Sequence, residues 1–381
     1  MKYFFIIQGE GRGHLTQAMT LERLLVRHGH EVVCMMVGKS KSRTLPAFFE
    51  KAVHAPVRYF ETFNFVASHN NKRPNPVSTF FYNSAIWYRF LPSIRFIRKT
   101  IREYAPDVVI NFYEMLGSIA CQRVGVPMIC IGHQFFFLHK DCHIPEIGYE
   151  GHLGLDLFSK SIATGASKVL ALSFRPMQPV QARRGSFESR IKVMPPLLRP
   201  EVLEYRNADG SPRAGLEAGK YILGYMLNPG FAEEILKWHK AHPDVPLHFF
   251  WDRADEAPVK VVDETLSFYY LDDKEFLRQM AGCRAYASTA GFESICEAMY
   301  LGKPLLMVPT HIEQKCNAYD ATVGVRFNPS MPQDIRPAVA ADTFDLDRLL
   351  SFAENEYVPD QSFVAWVRSA EALFLRELTE F

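Results

Sequence analysis

Short apolar runs recur along the chain, and each ends in a small or polar turn. Stretches with apolar residues on one helical face follow several of them, a pattern that predicts strand, turn and helix in alternation. Residues 3–8 read as a buried strand. A turn from Gly9 to His14 follows, then a helix over about 15–28 with Leu21, Leu24, Leu25 and His28 on one face. Further strands are predicted at 31–37, 57–60, 107–112, 128–131, 169–173 and 191–194, with a short helix at 118–124. A second set of strands covers 221–227, 247–251, 267–271, 284–287 and 305–308, with helices at 232–241, 276–281 and 292–300. An amphipathic helix over about 363–378 ends the chain. Between the two sets lies Pro195-Pro196-Leu197-Leu198-Arg199-Pro200, a linker signal that continues through the polar stretch 207–212. The pattern predicts an α/β chain of two open parallel-sheet domains, 1–198 and 199–362, with a final helix in 363–381.

Composition narrows the class. A chain of 381 residues suits two domains of ordinary size, and 48% apolar residues suffice for two cores. The formal net charge of +1 gives no global field for nucleic acid. Seven scattered cysteines without C-x-x-C spacing read as buried thiols of a reduced, cytoplasmic protein. The apolar start runs straight into Gly9 and is too short for a signal peptide. No apolar run is long enough to span a bilayer.

One block stands out by charge. From Val66 to Arg102 there is no acidic residue, while Lys72, Arg73, Arg89, Arg95, Arg98, Lys99 and Arg102 alternate with Phe80, Phe81, Trp87, Tyr88 and Phe96. Two readings stand. The block suits an anionic membrane surface or a lipid-linked acceptor, or it is a core helix with a solvated basic face.

Candidate chemistry gathers after predicted strands, where open parallel sheets carry their sites. The Gly9–His14 turn is spaced G-x-G-x-G, not as a dinucleotide fingerprint, and no acidic residue ends the second strand. Gly11 and Gly13 allow close approach of a ligand, and His14 starts the helix facing it. Glu114 and His133 follow the strands at 107–112 and 128–131, and Phe135-Phe136-Phe137 with the loop to His152 reads as a lid or an acceptor wall. In the second half, Asn228-Pro229-Gly230 precedes a helix. Thr289, Ala290 and Gly291 form a small-residue turn whose N–H groups, at a helix N-terminus, suit a diphosphate. Glu297 lies about one turn into that helix, and a polar loop beyond the next strand carries Glu313, Gln314 and Asn317.

Gly291-Phe292-Glu293-Ser294-Ile295-Cys296-Glu297-Ala298, then Gly302-Lys303-Pro304, then Glu313-Gln314 with Asn317-Ala318, resemble the donor site of GT-B glycosyltransferases. The likeness is greatest to the UDP-glycosyltransferases and the peptidoglycan N-acetylglucosaminyltransferase group. It implies two Rossmann-like domains across a cleft, with the last helix crossing back to the first. It implies that Glu297 binds the nucleotide ribose and that Glu313-Gln314 holds the donor sugar. Asn228, Gly230, Thr289, Ala290, Gly291 and Asn317 complete the expected donor site. The turn at Gly9–His14 resembles the N-terminal loop of the same group, which makes His14 a candidate base, with Glu114 the second choice. Gly11, Gly13 and His133 are expected at the acceptor. One departure stands at Glu293, where the resemblance leads to a neutral polar residue. Either its side chain points to solvent or the donor sits differently.

The expectation is an inverting, metal-independent transfer from a nucleotide sugar, a UDP-sugar first, to a hydroxyl acceptor, with no cofactor. No Asp-x-Asp motif occurs. A role in cell-envelope polysaccharide or glycolipid synthesis would suit the likeness, at the inner face of the membrane if 66–102 docks there. A nucleotide-sugar 2-epimerase of the same fold, and a non-catalytic nucleotide-sugar sensor or membrane-docked partner subunit, are the alternatives.

Overall fold

The first apolar run, Lys2–Gln8 (β1), is buried at five consecutive positions, as a central strand covered on both faces must be. The structure is a computed structural model and describes residues 1–40, 47–63, 87–145, 149–179, 182–183, 185–213, 216, 219–226, 229–253, 256–324 and 334–380. β1 is joined by Glu31–Lys39 (β2), Val57–Glu61 (β3), Val108–Phe112 (β4), Met128–Gly132 (β5), Lys168–Leu172 (β6) and Ile191–Met194 (β7). They form one parallel sheet in the order β3-β2-β1-β4-β5-β6-β7.

The second sheet contains Ile222–Met226 (β8), Leu247–Trp251 (β9), Val259–Val261 (β10), Leu266–Tyr270 (β11), Ala285–Ser288 (β12), Leu305–Met307 (β13) and Ala338–Ala340 (β14). Its order is β10-β11-β9-β8-β12-β13-β14, parallel except where β10 runs antiparallel on the edge. The sequence reading lacks β10 and β14. All three residues of β10 are exposed, and β14 is an Ala-Val-Ala triplet, so neither carries a buried apolar run.

The helices include Arg12–Arg27 (α1), Leu91–Tyr104 (α2), Met115–Cys121 (α3), Asp273–Gly282 (α4), Phe292–Leu301 (α5), Ile312–Thr322 (α6), Gln361–Arg368 (α7) and Ala370–Thr379 (α8). The C-terminal helix expected as one piece breaks at Ser369 into α7 and α8. α8 lies against the first sheet. Tyr3 Oη donates to the Leu378 carbonyl at 3.0 Å, and Lys168 Nζ donates to the carbonyls of Glu377 and Glu380. Arg27 and His28 both pair with Glu371, so His28 serves this junction and not the core face of α1.

One sequence expectation needs correcting here. Phe135, Phe136 and Phe137 are buried among the core residues of the first sheet and form neither lid nor wall, because the segment winds into a short 3-10 helix packed on β6. The basic block lies partly outside the described residues, over 66–86. Its described part fits the core-helix reading: α2 buries Ile94, Ile97 and Ile101 and exposes Arg95, Lys99 and Arg102. No helix among the described residues is long and apolar enough to cross a membrane.

Candidate active site

The carboxyl ends of both sheets open onto one cavity of about 530 Å³. The N-termini of α1 and α5 both lie on it. Gly11 precedes α1 and Gly291 precedes α5, and no side chain caps either helix. The first N–H groups of both are therefore left for water or a ligand. The two helix starts are close neighbours: a Cβ on Gly13 would stand 3.7 Å from Glu293 Cβ.

On the first-sheet wall, His14 sits in the first turn of α1. Its ring stacks on Tyr113, with centroids 5.9 Å apart and planes 18° from parallel. The Gln134 amide nitrogen stands 3.5 Å from His14 Nε2, and Nδ1 is buried without a hydrogen-bond partner among the described residues. Burial pushes the imidazole down to about 4, so it is neutral near pH 7. Tyr113 itself has φ 56, a left-handed conformation that costs a bulky residue energy and recurs at functional sites.

His133 also lines the cavity. Its Nδ1–H donates to the Leu172 carbonyl at 2.6 Å, and its ring stacks on Phe292 of α5 at 3.8 Å. Burial holds it down to about 3. It thus joins the two sheets while leaving Nε2 without a partner among the described residues.

Glu114 does not reach the cavity. Its carboxylate caps α3, accepting from Gly117 N and from Thr62 Oγ1, each at 2.5 Å. Tyr113 and Glu114 both follow β4, and the chain turns so that Tyr113 faces the cavity and Glu114, expected there, faces the core. Burial pushes its carboxyl up to about 7.

On the second-sheet wall, Thr289, Gly291, Glu297, Glu313 and Gln314 line the cavity. Glu313, Gln314 and Asn317 lie on α6, not in a loop. Gln314 Oε1 accepts from Thr310 N and Oγ1, which leaves its amide group for the cavity. Burial pushes the Glu313 carboxyl up to about 7, against a hydrogen bond from Gln134. Asn317 is fully buried away from the cavity, and its amide donates at 3.0 Å to the carbonyl of Ala290, which is held at φ 39. Both residues shape the turn and neither lines the cavity. Gly230 lies in the short turn Pro229–Phe231 and does not line it either. Asn228 lies outside the described residues.

Some site residues had no sequence signal. Arg199, read as part of a linker, is buried and donates from Nε to Glu297 Oε1 at 2.7 Å, and its Nη1 reaches Asp273 of α4. Arg12 Nη2 donates to Asp252 at 2.9 Å, from the first Gly turn to the end of β9. Glu293 turns toward the cavity and not to solvent. Among the described residues no three His, Cys, Asp or Glu side chains gather as metal ligands.

The family model for glycosyl transferase family 1 matches residues 1–330. The chain is 23% identical over 365 residues to an uncharacterized glycosyltransferase of Methanosarcina mazei, covering 91% of each chain. It is 24% identical over 350 residues to another from Methanosarcina acetivorans, covering 86% of this chain and 84% of that one. Among solved structures, Arabidopsis thaliana UGT89C1 complexed with UDP-L-rhamnose superposes with a TM-score of 0.60 at 15% identity, over 99% and 98% of the two chains. Acinetobacter baumannii MurG superposes with a TM-score of 0.57 at 13% identity over the whole of both chains. These two likenesses concern the fold, which is GT-B.

Proposed function

The chain belongs to glycosyl transferase family 1, and from that premise we propose that it moves a sugar from a UDP-sugar to a hydroxyl acceptor with inversion. The observation that carries the reading is that His14, at the head of α1, and the uncapped start of α5 line one cavity. The donor diphosphate takes the open N–H groups of the turn 289–291 and of α5. Glu297, fixed by Arg199, accepts from the ribose. Glu313 and the Gln314 amide hold the donor sugar.

His14 takes the acceptor hydroxyl proton as the oxygen attacks the anomeric carbon. The bond from that carbon to the diphosphate oxygen breaks, and its electron pair leaves with UDP. Oriented N–H groups stabilise that charge, so no metal is required. Titration calorimetry with UDP tests the donor half: UDP should bind, and a protein that ignores UDP while binding another nucleotide diphosphate overturns it. A lipid-linked acceptor and docking at the inner face of a membrane are supported by the basic exposed face of α2, with Tyr88 exposed just before it. Sedimentation with anionic vesicles tests that part.

The 2-epimerase remains a second reading because the cavity gathers Glu10, Glu293, Glu297 and Glu313. A UDP-sugar followed by NMR without any acceptor separates the two, since only an epimerase changes the sugar under those conditions.

A further inference from the structure

Glu293 is the second residue of α5 and points into the space between the two helix starts. Part of its stem is accessible, but both carboxyl oxygens are buried and neither has a hydrogen-bond partner of normal geometry among the described residues. A carboxylate there would sit beside the open N–H groups of α5, and a donor diphosphate placed on them would be repelled by it. A carboxylic acid would instead offer one O–H donor. We propose that Glu293 acts as a neutral acid that donates a hydrogen bond to the donor diphosphate, so that donor affinity is controlled by the proton on this residue. The proposal rests on the reading of α5 as the diphosphate site.

The surroundings agree. Glu297 on the same helix disfavours a second negative charge, Arg199 opposes it from the connector, and Gln17 of α1 is the polar side chain that approaches the carboxyl. Burial is the largest cause and holds the Glu293 carboxyl well above the ordinary carboxylate range. Arg199 is already shared between Glu297 and Asp273. The other charged or titratable groups that line the same cavity include Glu10 of the first Gly turn, which accepts from Ser40 N, His14 and Arg12 of α1, His133 after β5, and His311 and Glu313 at the start of α6. The three imidazoles are held low, near 3 to 4, and do not titrate above pH 7. Arg12 is paired with Asp252. Glu313, at about 7, also titrates near neutrality. Buried Cys296, behind Glu293 on α5, is held well above its ordinary value and stays neutral.

The sign follows from the proton count. Binding requires the protonated form, so affinity is full below the pKa of the free protein's carboxyl and falls above it, by at most about tenfold per pH unit for one proton. The test is UDP affinity by calorimetry from pH 7 to 8.5, below the ionisation of the uracil N3–H, with each variant compared with wild type at the same pH so that the nucleotide's own titration cancels. Wild type should weaken as pH rises. Glu293→Gln keeps a neutral donor, so it should bind at pH 7 within about twofold of wild type and lose the slope that Glu313 does not account for. Glu293→Ala should bind about tenfold more weakly at pH 7 and show no such slope. Equal slopes in wild type and Glu293→Gln, or undiminished affinity in Glu293→Ala, overturn the proposal. Thermal melts confirm that each variant is folded. Absence of UDP binding by wild type at every pH strikes the donor reading itself, a different failure.

Discussion

Arg199 Nε donates to Glu297 Oε1 across 2.7 Å, both side chains are buried, and the other arm of the guanidinium reaches Asp273. The carboxylate proposed to bind the ribose is thus fixed by a residue from the connector between the sheets. One oxygen is occupied, and the other remains for a hydroxyl.

That arrangement separates two effects of Glu297→Ala. UDP affinity should fall by roughly 1.5–3 kcal/mol, the range for a hydrogen bond to a charged group. Stability should fall as well, because one partner of a buried pair is removed. Asp273 keeps part of the charge balance, so the loss should be near the low end of the roughly 3–5 kcal/mol for such a change. Glu297→Gln keeps an acceptor for Arg199 and should recover most of the stability. Calorimetry and chemical denaturation on both variants check the two effects independently, and unchanged UDP affinity in Glu297→Ala would remove the ribose role.

The parts of this architecture that rest on apolar runs could be read from the sequence. β1, β4, β5, β8 and β9 announce themselves because strands covered on both faces cannot alternate. The turn at 289–291 was legible from its small residues, and the helix after it from its composition and from Gly302, which at φ 73 ends it as glycine does. What failed was direction and pairing. Glu114 and Tyr113 are adjacent, and only the strained turn at Tyr113 decides which of them faces the cavity. Asn317 and Gln314 are one helical turn apart on α6, yet one is spent on the Ala290 carbonyl and the other on Thr310. Arg199 looked like punctuation between prolines because its partners are 74 and 98 residues away.

The position of Glu114 makes a prediction about pH. Its folded-state pKa, about 7, lies above the unfolded value of 4.5, so the folded state holds the proton longer. Wild type should therefore lose stability as pH rises from 4.5 to 7, and no further from this group above that. At about 1.4 kcal/mol per unit, the full effect is roughly 3 kcal/mol as an upper bound. Glu114→Gln does not titrate and can still accept from Gly117. Its stability relative to wild type should rise across that window, with kcat within about threefold of wild type. A kcat loss of a hundredfold would return Glu114 to the chemistry.

Metal independence is open to a direct check. If the open N–H groups at the start of α5 carry the charge of the leaving diphosphate, turnover of a UDP-sugar should survive EDTA with little change. A strict requirement for magnesium or manganese would mean that the diphosphate is held in another way than by the start of α5.

His14 carries the sharpest prediction. Burial keeps its ring neutral, so it is available as a base across the whole neutral range, and the acid limb of the kcat profile should lie near pH 4. Loss of a general base typically costs about 10²–10⁴-fold in rate, and His14→Ala should lower kcat by that order. Nucleotide affinity should stay nearly constant if the donor sits wholly on the second sheet. The contact between Gly13 and Glu293 makes that condition a real question, because the starts of α1 and α5 adjoin the same space. The ratio of the two effects therefore decides the division of labour. A kcat loss with unchanged UDP binding assigns His14 to the acceptor proton. Lost UDP binding with unchanged turnover at saturating donor assigns it to the diphosphate. Normal behaviour in both leaves it as a helix-start residue stacked on Tyr113.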